Sequence, residues 1–259
     1  MMPDSIQTGD KKSIKRPTSS VRKTSPSRAS VWQMFDRIAH RYDLLNRILS
    51  LRRDVVWREK LAGFLQEQGD QNVLDLATGT ADVLLSLFRK GNNIASAVGI
   101  DMSPKMLQLG QRKVVAHGLV DKIFFVRADA ERLPFSESSF DAVTIAFGIR
   151  NMANVTMTLA EMHRVLKPGG KALILEFSMP QNWFVRRLYP FHLRGILPRL
   201  GAMISGDSYA YRYLNETVET FPYGEQFCDL MQQTGFTEIQ VAPLTFGIAT
   251  IYHGSKFAK

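Results

Sequence analysis

Four acids stand at or just beyond the ends of apolar runs in the first half of the chain. Asp75 and Asp82 belong to VLDLATGTAD (73–82), Asp101 ends SAVGID (96–101), and Asp129 ends KIFFVRAD (122–129). Gly79 lets the turn after Asp75 approach a ligand closely or adopt a positive φ. Asp101 follows Gly79 at a spacing that suits an acid accepting hydrogen bonds from ribose hydroxyls. A nucleotide-like ligand is the expectation. Yet Ala77, Thr78 and Ala81 stand where a dinucleotide fingerprint would place glycines. A pyrophosphate wants several close N–H donors and little negative charge, whereas this rim is acidic. An adenosine carrying a cationic tail fits better. S-adenosyl-L-methionine has a ribose diol, an ammonium and a sulfonium. Asp75 or Asp82 would meet the ammonium, Asp101 with the adjacent Met102 the ribose, and Asp129 with Ala130 the adenine. Thr80 is a further contact or a local turn former.

These acids need strand ends to stand on, and the pattern supplies them. Strand-like runs at 71–78, 96–101, 122–129, 140–149 and 171–178 alternate with helix-like runs at 81–91, 104–118 and 156–167. Ser103 is a helix N-cap with Pro104 at the first helical position. Gly91 is a candidate C-cap, and Pro168-Gly169-Gly170 stops the third helix. Such alternation predicts a doubly wound, mostly parallel α/β sheet. A further helix is expected over 224–235. Residues 238–256 read as two β segments joined near Gly247, giving an antiparallel end to the sheet. Residues 31–66 read as helical cover.

Composition narrows the class. The chain has 259 residues, 45% of them hydrophobic and 22% charged, as in ordinary globular proteins. No apolar run is long enough for a membrane-spanning helix. Cys228 is the single cysteine, so no internal disulfide forms and a reducing, cytoplasmic setting is expected. Net charge is +9, and residues 1–30 hold seven Lys/Arg against two acids. This Ser/Thr-rich stretch is nearly free of large apolar residues and reads as a disordered basic tail. Its composition resembles an organellar targeting peptide, but MMPDSIQTGD and the missing apolar face weigh against one. The expected organisation is the tail followed by one domain over 31–259, with an insertion at 179–206.

From about Val31 onward the chain resembles the ubiquinone/menaquinone biosynthesis C-methyltransferase family. The likeness rests on YDLLNRILSLRRDVVW (42–57), AFGIRN (146–151), RVLKPGGKALILEFS (164–178) and DSYAYRYLNETVETFP (207–222). Leu45 and Asp54 replace the family's usual Met and His. The resemblance implies a Rossmann-like class I methyltransferase: a seven-stranded sheet with an antiparallel C-terminal strand and a helical lid insertion. It places cofactor contacts on Thr80, Asp101, Asp129 and Ala130. A serine the family usually carries after the fourth strand is Ala146 here, so that hydroxyl contact is lost.

The implied reaction moves a methyl group from S-adenosyl-L-methionine to a ring carbon of a polyprenyl quinol. Demethylmenaquinol is the leading acceptor, and the benzoquinol precursor of ubiquinone is the alternative. A quinol carbon becomes a good nucleophile only when an OH loses its proton. The site must therefore align the ring, exclude water and assist that proton. Arg150 is the candidate to stabilise the phenolate and Asn151 to orient the ring oxygen. Tyr42, Tyr211 and Tyr213 are candidate pocket walls. WFVRRLYPFHLRGILPRLGAMISG (183–206) has four arginines, many large apolar residues and no acid. It reads as a lid receiving the prenyl tail or touching anionic lipid at the inner face of the membrane. Whether the protein forms a homo-oligomer is left open.

Two other classes fit less well. An NAD-dependent dehydrogenase disagrees with the single Gly79 and the acidic rim. A nucleic-acid methyltransferase would use the basic tail, but no Asn/Asp-Pro-Pro-aromatic motif follows the fourth strand. The five histidines are scattered without ligand spacing, so no metal is expected.

Overall fold

The computed structural model describes residues 31–65, 69–91, 93–180 and 220–258, with residues 183, 213, 217 and 218. The expected basic tail, most of the 179–206 insertion and Tyr211 lie outside the described residues. Two helices come first, α1 (Val31–Leu49) and α2 (Arg53–Ala62). Then follow β1 (Gln71–Leu76), α3 (Asp82–Arg89), β2 (Ile94–Asp101), α4 (Pro104–Ala116), β3 (Ile123–Arg127) and β4 (Phe140–Ala146). The series ends with α5 (Val155–Val165), β5 (Leu166–Phe177), α6 (Glu225–Gln233), β6 (Phe236–Leu244) and β7 (Ala249–Lys256).

The seven strands form one sheet in the order β3-β2-β1-β4-β5-β7-β6. The pairs β1–β2, β2–β3, β1–β4 and β4–β5 are parallel. β7 runs antiparallel to both β5 and β6 and lies between them. The strand order reverses at β1, with β2 on one side and β4 on the other. That is the switch point, where a crevice opens at the carboxyl ends of the strands.

The central strands are buried on both faces, which is why they read as continuous apolar runs rather than alternating ones. Val73, Ala97, Ala142 and Leu173 face a layer holding Trp57 and Leu61 of α2 with Val83, Leu84 and Leu87 of α3. Leu74, Ile100, Val143 and Ile174 face the other way, onto Leu159 and Met162 of α5 and Phe227 and Met231 of α6. α1 joins neither layer. Its Val31, Met34 and Leu45 form a small cluster with Tyr213.

Ser103 caps α4 as expected, its side chain accepting from Met106 N, with Pro104 in the first turn. Several boundaries move. β3 stops at Arg127, which leaves Asp129 and Ala130 in a loop. β4 stops at Ala146, because Phe147 takes a φ of 57° and a short 3₁₀ turn follows at Ile149–Asn151. The Pro168-Gly169-Gly170 segment is a larger correction. It does not separate helix from strand; α5 has already ended at Val165, and β5 runs through it. Gly169 takes a φ of +78°, and the β4–β5 register shifts between Phe140 and Ala142.

A side chain at Gly170 would place its Cβ 2.9 Å from the carbonyl oxygens of both Asp141 and Lys167. Gly170→Ala should therefore lower stability by about 1–3 kcal/mol. Urea denaturation measures it, and an unchanged midpoint would contradict this account of the bulge.

Candidate active site

The turn after β1 answers the question its composition raises. Ala77, Gly79 and Ala81 all take positive φ, at 47°, 55° and 66°. Only one is glycine, so two alanines hold a backbone that L residues rarely adopt. Two contacts fasten the turn. Thr78 N donates to Ile100 O at 2.9 Å, and Gly79 N donates to Asp101 Oδ2 at 3.0 Å. The other Asp101 oxygen accepts from Ser103 N at 2.8 Å. One carboxylate thus ties the end of β1, the end of β2 and the start of α4 together. Burial pushes the Asp101 carboxyl above its ordinary range, against the pull of these backbone donors.

A cavity of about 200 Å³ opens beside this knot. The strand-end loops supply Gly79, Asp101, Met102, Asp129, Ala130 and Asn151 to its wall. Helix α1 closes the remaining side with Val31, Trp32, Phe35 and Tyr42. Among the described residues, Asp101, Asp129 and Glu131 are the charged members of the lining, and no Lys, Arg or His of the described residues belongs to it. A cavity with that balance suits a nucleoside with a cationic tail and disfavours a pyrophosphate. The fit to S-adenosyl-L-methionine therefore rests on the donor set itself. Asp101 would hold the ribose diol, and Met102, Ala128 and Ala130 would form an apolar slot for a flat base.

α1 is fastened over the cavity by its own acids. Asp36 accepts from Ser103 Oγ at 2.7 Å and from Lys105 N at 3.0 Å, at the positive end of α4. Asp43 accepts from Thr80 Oγ1 at 2.7 Å and pairs with Lys113 at 2.6 Å. Arg47 bonds Asp82 at 2.7 Å and also Asp54.

These ties correct several sequence expectations. Thr80 is buried but does not line the cavity; its hydroxyl is taken up by Asp43 and Lys113. Asp82 is held by Arg47 and Lys113, and the neighbouring Arg58 and Lys113 draw its pKa down to about 2 despite burial. It does not belong to the described lining of the cavity. Asp75 also stays out of the wall. It lies on the α2/α3 side of the sheet, in register with Gly99 and Thr144. Thr144 Oγ1 donates to it at 2.5 Å, and its Oδ2 is buried with no hydrogen-bond partner among the described residues. Desolvation raises its pKa to about 7, opposed by the Thr144 and Thr78 hydroxyls and by Arg58.

Arg150 and Asn151 are neighbours with different environments. Arg150 Nη1 donates to Phe147 O at 2.6 Å and to Glu176 Oε1 at 2.5 Å. Its guanidinium lies over the Phe177 ring, and it is absent from the cavity wall. Glu176 is fully buried; desolvation raises its pKa, and Arg150 opposes the rise. Asn151 does line the cavity, with a buried Oδ1 that has no hydrogen-bond partner among the described residues. Tyr42 lines it too, with burial raising its pKa against the field of Arg58 and Arg150. Tyr213 is buried in the α1 cluster rather than in the cavity wall. Trp32, Phe35 and Phe147 are wall residues that the sequence reading missed. Phe35 and Tyr42 stand seven residues apart on one helix face, a spacing that was available as a signal.

Residues 22–256 match the model of the ubiE/COQ5 methyltransferase family. The chain is 44% identical over 223 residues to a demethylmenaquinone methyltransferase of Thermus thermophilus, covering 86% of this chain and all of that protein. It is 46% identical to the ubiquinone/menaquinone biosynthesis C-methyltransferase UbiE of Citrifermentans bemidjiense, covering 86% of this chain and 94% of the relative. Among solved structures, an S-adenosylmethionine-dependent methyltransferase of Thermotoga maritima superposes with a TM-score of 0.62 at 17% identity, covering 87% of this chain and 99% of the other. The [4+2]-cyclase SpnF superposes at 0.66 with 18% identity, covering 91% and 98%. At these identities the structural likeness shows the fold, shared by proteins of different chemistry.

The buried Asp75 carries a pH signature. Its folded pKa, about 7, lies above the unfolded value near 3.9. Its contribution to stability is therefore present at low pH and lost as pH rises to about 7. Asp75→Asn removes that loss. Relative to the parent, the variant should gain about 2 to 3 kcal/mol between pH 5 and pH 8 in urea denaturation. Parallel pH profiles for the two proteins would contradict it.

Proposed function

The chain belongs to the ubiE/COQ5 methyltransferase family, and from that premise we propose that its acceptor is demethylmenaquinol, methylated on a ring carbon to menaquinol. The protein is an S-adenosyl-L-methionine-dependent C-methyltransferase. The observation that carries the proposal is the cavity wall, which among the described residues has three carboxylates and no basic side chain, with Asn151 and Tyr42 beside them. Relatives named demethylmenaquinone methyltransferase in Thermus thermophilus and Bacteroides fragilis favour the naphthoquinol over the benzoquinol.

The cofactor, when bound, supplies an electrophilic methyl group; the chain supplies alignment. Asn151 Oδ1 is a buried acceptor waiting for a donor, and a quinol O–H satisfies it. That bond orients the ring and polarises the O–H of the oxygen that must become phenolate-like, without the neutral amide taking the proton. Arg150 is a positioning residue. Its bonds to Phe147 O and Glu176 fix the loop that presents Asn151, and its buried charge favours negative charge developing nearby. Phe35, Trp32 and Phe147 exclude water from the ring. The polyprenyl tail must leave the cavity toward lipid, so the protein works peripherally at the inner face of the membrane. Among the described residues no helix is long and apolar enough to cross it.

The test is anaerobic incubation with S-adenosyl-L-methionine and either the naphthoquinol or the benzoquinol, following methyl incorporation by mass. Transfer to the naphthoquinol is expected; cofactor binding with transfer to neither would remove the acceptor assignment. Asp101→Ala should weaken cofactor binding at least about tenfold, the loss of charge-assisted hydrogen bonds. Asn151→Ala should leave cofactor binding unchanged and lower kcat about 100-fold. Equal losses of binding and turnover in Asn151→Ala would contradict its role toward the acceptor.

A further inference from the structure

Helix α1 has one face in the cavity and a second face bonded to α4, and its third face is exposed. Counting around the helix, the side opposite Phe35 and Tyr42 carries Arg37, Arg41, Leu44 and Ile48, all exposed. It carries no acid, because Asp36 and Asp43 point to α4 and Thr80. The surface continues around the corner into α2 through Leu51, Arg52, Arg53 and Val56, again all exposed. Leu44, Ile48, Leu51 and Val56 are 54%, 38%, 82% and 40% exposed, large apolar side chains facing water on α1, the corner and α2. Leu51 and Arg52 are also held at positive φ, 51° and 62°. The corner thus holds a leucine outward in a conformation that leucine disfavours.

We propose that this outer face of α1, with the α1–α2 corner, docks the protein on an anionic lipid bilayer. Apolar side chains flanked by arginines on one helical surface match the acyl boundary and the headgroup charge of such a bilayer. Nucleic acid would use the arginines and leave the leucines without a role. The proposal rests on the reading of a polyprenyl acceptor, whose tail dissolves in a bilayer. It adds the place of contact. One helix diameter, about 10 Å, would then separate the lipid from the cavity that α1 roofs. A quinol ring can enter that cavity while its tail remains in the membrane.

The full chain is tested by flotation with phosphatidylcholine vesicles and with vesicles mixed with phosphatidylglycerol. Two variants are compared, Leu44→Ser/Ile48→Ser/Leu51→Ser and Arg52→Gln/Arg53→Gln, each first shown to keep the parent's circular dichroism and cofactor affinity. The parent should partition onto the mixed vesicles. The arginine variant should lose about thirtyfold in partition and the apolar variant at least about tenfold. Both should methylate a short-tailed quinol in buffer within about twofold of the parent, since no altered residue lines the cavity. Unchanged flotation of both variants, or no flotation of the parent, overturns the docking surface. Loss through the arginines alone, accompanied by tight binding of a short RNA, overturns it in favour of nucleic acid. Transfer to the short-tailed quinol reports separately on the acceptor: if it is absent while docking is lost as expected, the acceptor fails and the surface stands.

Discussion

One carboxylate organises the site. Asp101 accepts one backbone N–H from the β1 turn and one from the start of α4. These bonds hold the turn at Gly79, between two alanines that also take positive φ. Without such a tie the left-handed alanines would have little reason to persist. The same carboxylate faces the cavity, so the group that fixes the turn is also the one placed to read a ribose. Its burial comes at a cost to its ionised form.

Around that knot the described basic groups nearest the site are turned to acids outside the cavity wall. Arg150 is turned to Glu176, Lys113 to Asp43 and Asp82, and Arg47 to Asp54 and Asp82. Each pair leaves the lining acidic and fastens an element that bounds it. The Arg150–Glu176 pair sets the loop after β4, and the Asp36 and Asp43 contacts seat α1 as a roof. Removing one partner of the fully buried pair would leave the other charge stranded, a far larger penalty than losing a surface ion pair.

Much of this could be read in advance, and the misses have physical causes. The parallel sheet was legible because its central strands are apolar runs closed by Gly, Pro and Asp at regular intervals. Asp101, Asp129 and Asn151 were legible because they follow strand ends, where topology alone puts them near a ligand. Asp75 and Asp82 were assigned to the cavity because both follow the first strand. Side-chain direction decided otherwise: Asp75 points to the sheet face opposite Gly99, and Asp82 starts α3 within reach of Arg47 and Lys113. Arg150 was misplaced for a similar reason, since its partner Glu176 lies in another strand. Of the roof, Tyr42 alone was named as a pocket wall; the rest of α1 was read as helical cover, although Phe35 shares the face of Tyr42. The extension of β5 through Pro168-Gly169-Gly170 was hidden by residues that usually end elements.

The most direct test of the Asp101 account is a binding cycle between one side chain and one ligand hydroxyl. Calorimetry would compare S-adenosyl-L-methionine with its 2′-deoxy analogue on the parent protein and on Asp101→Asn. If Asp101 reads the ribose, losing the hydroxyl weakens the parent at least about tenfold and costs the variant little. The same loss in both proteins would contradict it and leave Asp101 as the fastening of the turn alone.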